Sequence, residues 1–224
     1  MLAHTSVDGR RQPFNEHAEN VAKIAASFAS VFGGEQHAYI VGLLHHIGKC
    51  SPSGQRRLLG SEEKVEHAAA GAEVLGEQYM KDPFGYLLAY CVAGHHAGLP
   101  DGGVSTDTDD RPTLCAKLKR QKKRSRDYAA YEDALASPVP KVPPIKLDYT
   151  KDFAGFSFSF RMRMLFSCLV DADFLDTEAF MNDAPIRSSA GEPPSVLYER
   201  LQTKLAAFDP RKNPVCEKRS EVLR

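Results

Sequence analysis

No run of apolar residues in this 224-residue chain approaches the roughly 20 needed to cross a bilayer as a helix, which excludes a bundle of membrane-spanning helices. Net charge is missing too. Its 29 Lys and Arg balance 29 Asp and Glu, so the molecule as a whole is no basic magnet for nucleic acid. Cysteine is sparse: Cys50, Cys91, Cys115, Cys168 and Cys216 are odd in number, far apart and never paired as C-x-x-C. That pattern speaks against a disulfide framework and against a thiolate zinc site. The opening residues MLAHTSVDGRRQPFNEH lack the apolar stretch and small-residue cleavage pattern of a secretory signal, so a cytoplasmic protein is expected. Internal repeats are absent, as is the phosphate-binding pattern G-x-x-x-x-G-K-[ST]; any ATP hydrolysis has to come from elsewhere.

What is present is helical periodicity. Ala18, Val21, Ala22, Ala25, Phe28, Ala29 and Phe32 follow the i, i+3, i+4, i+7 rule and stop at Gly33-Gly34, which puts His17 in the first turn of that helix. A second helix is predicted from Glu35 to Ile47, ending at Gly48 with His45 and His46 in its last turn. A third runs from about Glu63 to Tyr79, with Val65, Ala68, Ala69, Ala72, Leu75 and Tyr79 in phase and His67 beside them. A fourth starts after Pro83 and gives out at Gly98-Leu99-Pro100, with His95 and His96 at its end. Beyond a polar stretch (101–126), a short helix and the proline-rich SPVPKVPP at 137–144, the periodicity resumes from Phe156 to Leu175 and places Met164, Cys168, Asp171 and Leu175 on one side. FSFSF at 156–160 fits a helix start better than a strand, and no other stretch alternates convincingly. The fold class expected is all-α: one domain over 1–208, then a polar helix over 209–224 that reads as a linker toward a further portion.

Six of the eight histidines (His17, His45, His46, His67, His95 and His96) lie at helix ends or on inward faces, with Asp171 following. Imidazole and carboxylate are the donors that Mn, Fe, Co, Ni and Zn accept where thiolate is missing. Six buried imidazoles without a metal would each need a hydrogen-bond partner, so as a cluster they point to a metal site even though one alone would not.

The residues around them narrow the chemistry. GLLHHIGK at 42–49 resembles the signature of the HD superfamily, in which a His-Asp pair closes a helix before a glycine and a lysine. EHAAAGA at 66–72, AGHHAGLPD at 93–101 and RMLFSCLVDADFLDTE at 163–178 resemble the nuclease domain of the type I CRISPR interference nuclease-helicase, over about residues 15–180. That resemblance implies an HD-domain helical bundle that cuts single-stranded DNA with one or two divalent transition metals (Mn, Ni, Co or Fe). Its ligands would be His17, His45, His67, His95, His96 and Asp171, and Lys49 would stabilise the scissile phosphate. It also implies two partners, a helicase domain or subunit and an RNA-guided CRISPR surveillance complex.

One departure matters most. Position 46, where the family carries the aspartate whose two oxygens bridge both metals, is histidine. Three outcomes follow: His46 takes one metal and the site is mononuclear, His46 turns away, or the site no longer works. Gly54, where an aromatic residue is common, is expected to affect packing only. Between Arg111 and Arg126 lie eight basic residues and no acid (Arg111, Lys117, Lys119, Arg120, Lys122, Lys123, Arg124 and Arg126), read either as a solvated face or as a path for single-stranded DNA with Tyr128 or Tyr131 stacking on bases. Two alternatives stand beside the nuclease: an HD phosphohydrolase acting on nucleotides or cyclic nucleotides, and an inactive DNA-binding or docking module.

Overall fold

The computed structural model describes residues 1–63, 65, 67–78, 83–123, 126–144, 151–187, 192–207 and 213–222. The expected Tyr79 and Arg124 lie outside these. By contacts the chain divides into two compact units, Met1–Ile186 and Arg187–Arg224.

In the first unit helices form on each stretch where the apolar periodicity placed one, though the third begins at Ala68 rather than about Glu63 and leaves Val65 outside it. α1 (Phe14–Ala29) continues as a 3-10 turn over Ser30–Phe32 and is stopped by Gly33, whose φ of 64° closes the end in the left-handed region. Its stripe Ala18, Val21, Ala22, Ala25 and Ala29 is fully buried. α2 (Glu35–Leu44) ends three residues earlier than the periodicity suggests, because His45 and His46 leave the helix and a 3-10 turn over Ile47–Cys50 follows. α3 (Pro52–Leu58), which the sequence did not announce, begins with Ser51 Oγ accepting from the Gly54 amide and with Pro52 at its first position. α4 (Ala68–Gln78), α5 (Pro83–Gly94), α6 (Leu114–Lys122) and α7 (Tyr131–Ala134) lead to α8 (Ala154–Asn182). His67 therefore precedes α4, His95 and His96 follow α5, and α6 lies inside the stretch expected to be irregular.

The all-α expectation is met in the main. Its exception is an N-terminal hairpin, β1 (Leu2–Thr5) paired antiparallel with β2 (Arg11–Pro13), with His4 directly opposite Gln12. The hairpin is tied at both ends. Gln55 of α3 bonds both the Leu2 amide (2.9 Å) and the Leu2 carbonyl (3.0 Å), and Arg10 donates to the Phe180 and Met181 carbonyls at the end of α8 (2.7 and 3.1 Å). The core, with Phe14, Val41, Leu44, Leu75, Leu88, Leu165 and Leu169, sits between α1, α2, α4, α5 and α8. No helix among the described residues is long and apolar enough to cross a membrane.

In the second unit, α9 (Pro194–Ala206) precedes α10 (Pro214–Val222), the polar helix expected within 209–224. The sequence-based boundary at 208 would have grouped α9 with the first unit.

Candidate metal centre

The site assembles where three helix ends meet α8. Gly42 permits it: a Cβ there would stand 2.5 Å from the Ala22 Cα, so its absence lets α1 and α2 touch and brings His17 against His45. Gly48 does the same for the approach to His67, whose carbonyl oxygen would lie 2.3 Å from an added Cβ.

The histidines are set by what their Nδ1 atoms bond. His17 Nδ1 donates to Asp176 Oδ2 (2.7 Å), His45 Nδ1 to the Gly42 carbonyl (2.6 Å), and His95 Nδ1 to the Val92 carbonyl (2.7 Å). Each acceptor is a carboxylate or carbonyl, so the proton sits on Nδ1 and Nε2 is left with a bare lone pair. Those bare nitrogens converge. His17 Nε2 and His45 Nε2 are 3.2 Å apart and stand 3.3 and 3.6 Å from Asp173 Oδ1. His67 Nε2 lies 2.8 Å from His96 Nε2, and His95 Nε2 is buried with no hydrogen-bond partner. The bare electron pairs of His17 and His45 facing one another at 3.2 Å repel, and a cation between them removes the repulsion.

Two groups of donors result: His46, His67, His95 and His96 form one, and His17, His45, His46 and Asp173 the other, with one donor atom from each member within 4.8 Å of the rest. His46 belongs to both. Its ring, almost wholly buried, is 4.0 Å from that of His45, 5.0 Å from His95, 5.1 Å from His67, 5.2 Å from His96 and 5.3 Å from His17, so it has not turned away. Its Nδ1 is buried and without a hydrogen-bond partner.

The aspartate is corrected. Asp171 is exposed on α8, and Asp173 supplies the carboxylate. The buried face of α8 runs Leu165, Cys168, Leu169, Ala172, Asp176; of the predicted Met164, Cys168, Asp171, Leu175 only Cys168 is buried, because the face is centred one residue, about 100° around a helix, further on. Asp176, buried, orients His17 and accepts from Asn20 Nδ2 and Gln12 Nε2 (both 2.7 Å). Sequence reasoning missed Asp173 and Asp176, although D-A-D-F-L-D holds all three acids and a stripe shifted by one would have found them.

A cavity of about 250 Å³ opens onto the cradle, lined by His4, His46, Lys49, His67, His96, Asp173, Phe174 and Thr177. Lys49, 9% exposed, is placed there as expected, and burial pushes its ammonium down to about 8. His4, also missed, comes from β1, a strand of four residues too short to declare itself.

Most of the basic segment is engaged within the fold. Lys117 Nζ donates to the Ala93 carbonyl (2.9 Å), Lys119 to the Ser105 and Asp107 carbonyls, and Arg120 to those of Asp109 and Arg111, while Lys123 pairs with Asp109 and Arg126 with Glu77. Arg111 and Lys122 are exposed, Arg124 lies outside the described residues, and none of the seven described lines the cavity. Tyr128 and Tyr131 are buried, with Tyr128 Oη donating to Glu73 Oε2 (2.6 Å), so their faces are not presented to bases.

A family model, the HD domain, matches residues 14–131, more than half of the chain and the stretch that carries six of the seven cradle residues. The chain belongs to the HD-domain family. Its members are generally metal-dependent phosphohydrolases, which accords with a donor set of imidazole and carboxylate suited to divalent ions. A search of the curated proteins found no match. In this HD domain the second residue of the signature pair, His46, is the histidine common to both donor groups.

Proposed function

We propose that this HD domain is a metal-dependent nuclease of type I CRISPR interference, a cytoplasmic enzyme that cleaves single-stranded DNA supplied by a helicase at the direction of an RNA-guided surveillance complex. The observation that carries the hydrolytic part is the cavity, in which Lys49 stands beside a floor of His46, His67, His96 and Asp173. The motifs at 66–72, 93–101 and 163–178 support the DNA substrate and the CRISPR setting.

Divalent ions (Mn, Ni, Co or Fe) held by the two groups would supply Lewis-acid polarisation of the phosphate and an acidified water. The chain itself does the rest. Asp173 brings the one carboxylate of the two groups and its charge. Asp176, Gly42 and Val92 fix the tautomers of His17, His45 and His95, so these three donors need not reorganise when an ion arrives. Lys49 places positive charge where a phosphodiester oxygen gains negative charge in the transition state. Phe174, 71% exposed at the cavity, takes over from Tyr128 and Tyr131 as the aromatic face available for a base, and Arg111 and Lys122 remain for the phosphate backbone.

His46 favours a second reading, a silent DNA-binding or docking module, because a neutral imidazole brings no charge to the position shared by both ion sites. Metal analysis combined with cleavage of circular single-stranded DNA in Mn, Ni, Co, Fe or Mg decides between them. Metal-dependent nicking is expected. Hydrolysis of mononucleotides or cyclic nucleotides with the circle intact would point instead to a nucleotide phosphohydrolase, and a metal-free, inert protein to the silent module.

A further inference from the structure

We infer that His4 is the positioning residue for Lys49: together with the Ala3 carbonyl it holds two of the three ammonium N–H bonds, so that the third is presented to the cavity as a subsite for a phosphate oxygen. The inference rests on the phosphohydrolase reading of the cavity. The proton positions follow from a chain of bonds that begins at Asp176. Gln12 Nε2 donates to Asp176 Oδ2 (2.7 Å), which fixes the Gln12 amide and leaves its Oε1 as acceptor. His4, directly across the hairpin, lies with Nδ1 2.8 Å from that oxygen, so Nδ1 is the donor and carries the proton. His4 Nε2 is then a bare acceptor, and it receives Lys49 Nζ at 3.0 Å. The Ala3 carbonyl receives a second N–H at 3.1 Å. An ammonium has three donors and no acceptor, and Lys49 and His4 both line the cavity.

The hairpin is built to hold this arrangement. His4 packs edge-on against His17 (ring centroids 4.5 Å apart) and stacks on Phe180 (6.3 Å), so its ring has little freedom to swing. The backbone behind Lys49 is pinned as well. Gln55 Nε2 donates to the Lys49 carbonyl (2.8 Å), and Gly54 packs so closely that a Cβ there would stand 2.6 Å from that carbonyl oxygen.

The test measures binding of inorganic phosphate to Mn-loaded protein by calorimetry, alongside KM and kcat for a bis-aryl phosphodiester. His4→Phe keeps a ring and removes the acceptor; His4→Gln keeps an acceptor. A hydrogen bond to a charged group is worth enough for the expected effect to be about tenfold weaker phosphate binding and a raised KM in His4→Phe, with kcat and metal content changed less, and recovery in His4→Gln. In a Lys49→Met background, His4→Phe should have no further effect on phosphate affinity, an outcome a merely structural role would not give. An equal loss in both backgrounds, or unchanged affinity in His4→Phe, overturns the inference. If His4→Phe fails to fold, His4→Gln decides: near-parental affinity supports the assignment, and a loss equal to that of Lys49→Met overturns it. Phosphate binding without dependence on His4 leaves the phosphohydrolase reading standing; no phosphate binding and no diester hydrolysis in the unaltered protein removes both.

Discussion

Two positions separate two aspartates of α8 with opposite fates. Asp173 is the carboxylate of the second donor group, whereas Asp171 faces solvent. Replacing Asp173 with Asn should lower retained metal at least about tenfold, since even an outer partner of a ligand contributes that much. Asp171→Asn should leave metal content unchanged and stability within about 0.5 kcal/mol, as for other surface positions. Plasma emission analysis after dialysis reads the first, and thermal melts the second. At His46 the expectation runs the other way. An aspartate has two oxygens and a charge where His46 has a neutral ring, so His46→Asp should raise metal content toward two ions per chain and speed cleavage at saturating metal. A variant with the parental metal content would show that the histidine is no handicap to loading.

Among the elements, the close crossing of α1 and α2 carries the site. Gly42→Ala would gain about 0.8–1.0 kcal/mol in helix propensity. Against that stands a Cβ 2.5 Å from the Ala22 Cα, a backbone atom that cannot move aside by rotation, and overpacking of this kind costs about 1–3 kcal/mol. The clash wins, so the melting temperature should fall. His17 and His45 should separate, which weaker metal retention would report. The same scale shows what the sequence disclosed. α1, α2, α4, α5 and α8 were legible because apolar residues recur through them: the stripe Ala18 to Ala29 buries one face of α1, and the run Ala68 to Leu75 is buried throughout. Helix ends were less so: His45 and His46 leave α2 early because they follow the cradle, not the helix period. β1, with four residues, and the α8 phase, read one residue out, were lost for want of signal, and with them His4, Asp173 and Asp176. The basic segment misled because a run of like charge says nothing about its partners, and backbone carbonyls and acids of 93–111, together with Glu77, take most of it.

For the whole molecule, the buried imidazoles set the response to acid. His4 and His67 are held down at about 3, chiefly by burial, and burial also lowers His45, His46 and His95. The unfolded chain protonates its histidines near 6.5, so below that value the unfolded state binds more protons than the fold, and stability falls as pH drops toward 3. Asp176 adds to it: though burial opposes its charge, the His17 bond and its other donors hold it below the usual carboxylate value, so its contribution is present above about 4 and is lost as pH falls further. Urea denaturation of metal-free protein should therefore show lower stability at pH 5.0 than at pH 7.5, by on the order of 1.4 kcal/mol per pH unit for each histidine held neutral. Equal stability at the two pH values would mean that the imidazoles find protons or partners without metal.

The cradle also has an order in time. A ribosome delivers His4, Gln12 and His17 first and the imidazoles up to His96 next, but Asp173, Asp176 and the Phe180 carbonyl that receives Arg10 come only with α8. Until that helix has emerged, His17 lacks the carboxylate that fixes its proton and Gln12 the anchor that aims His4. A nascent chain thus carries every histidine of the site well before it carries either carboxylate, and a chain terminated ahead of residue 173 lacks both Asp173 and Asp176.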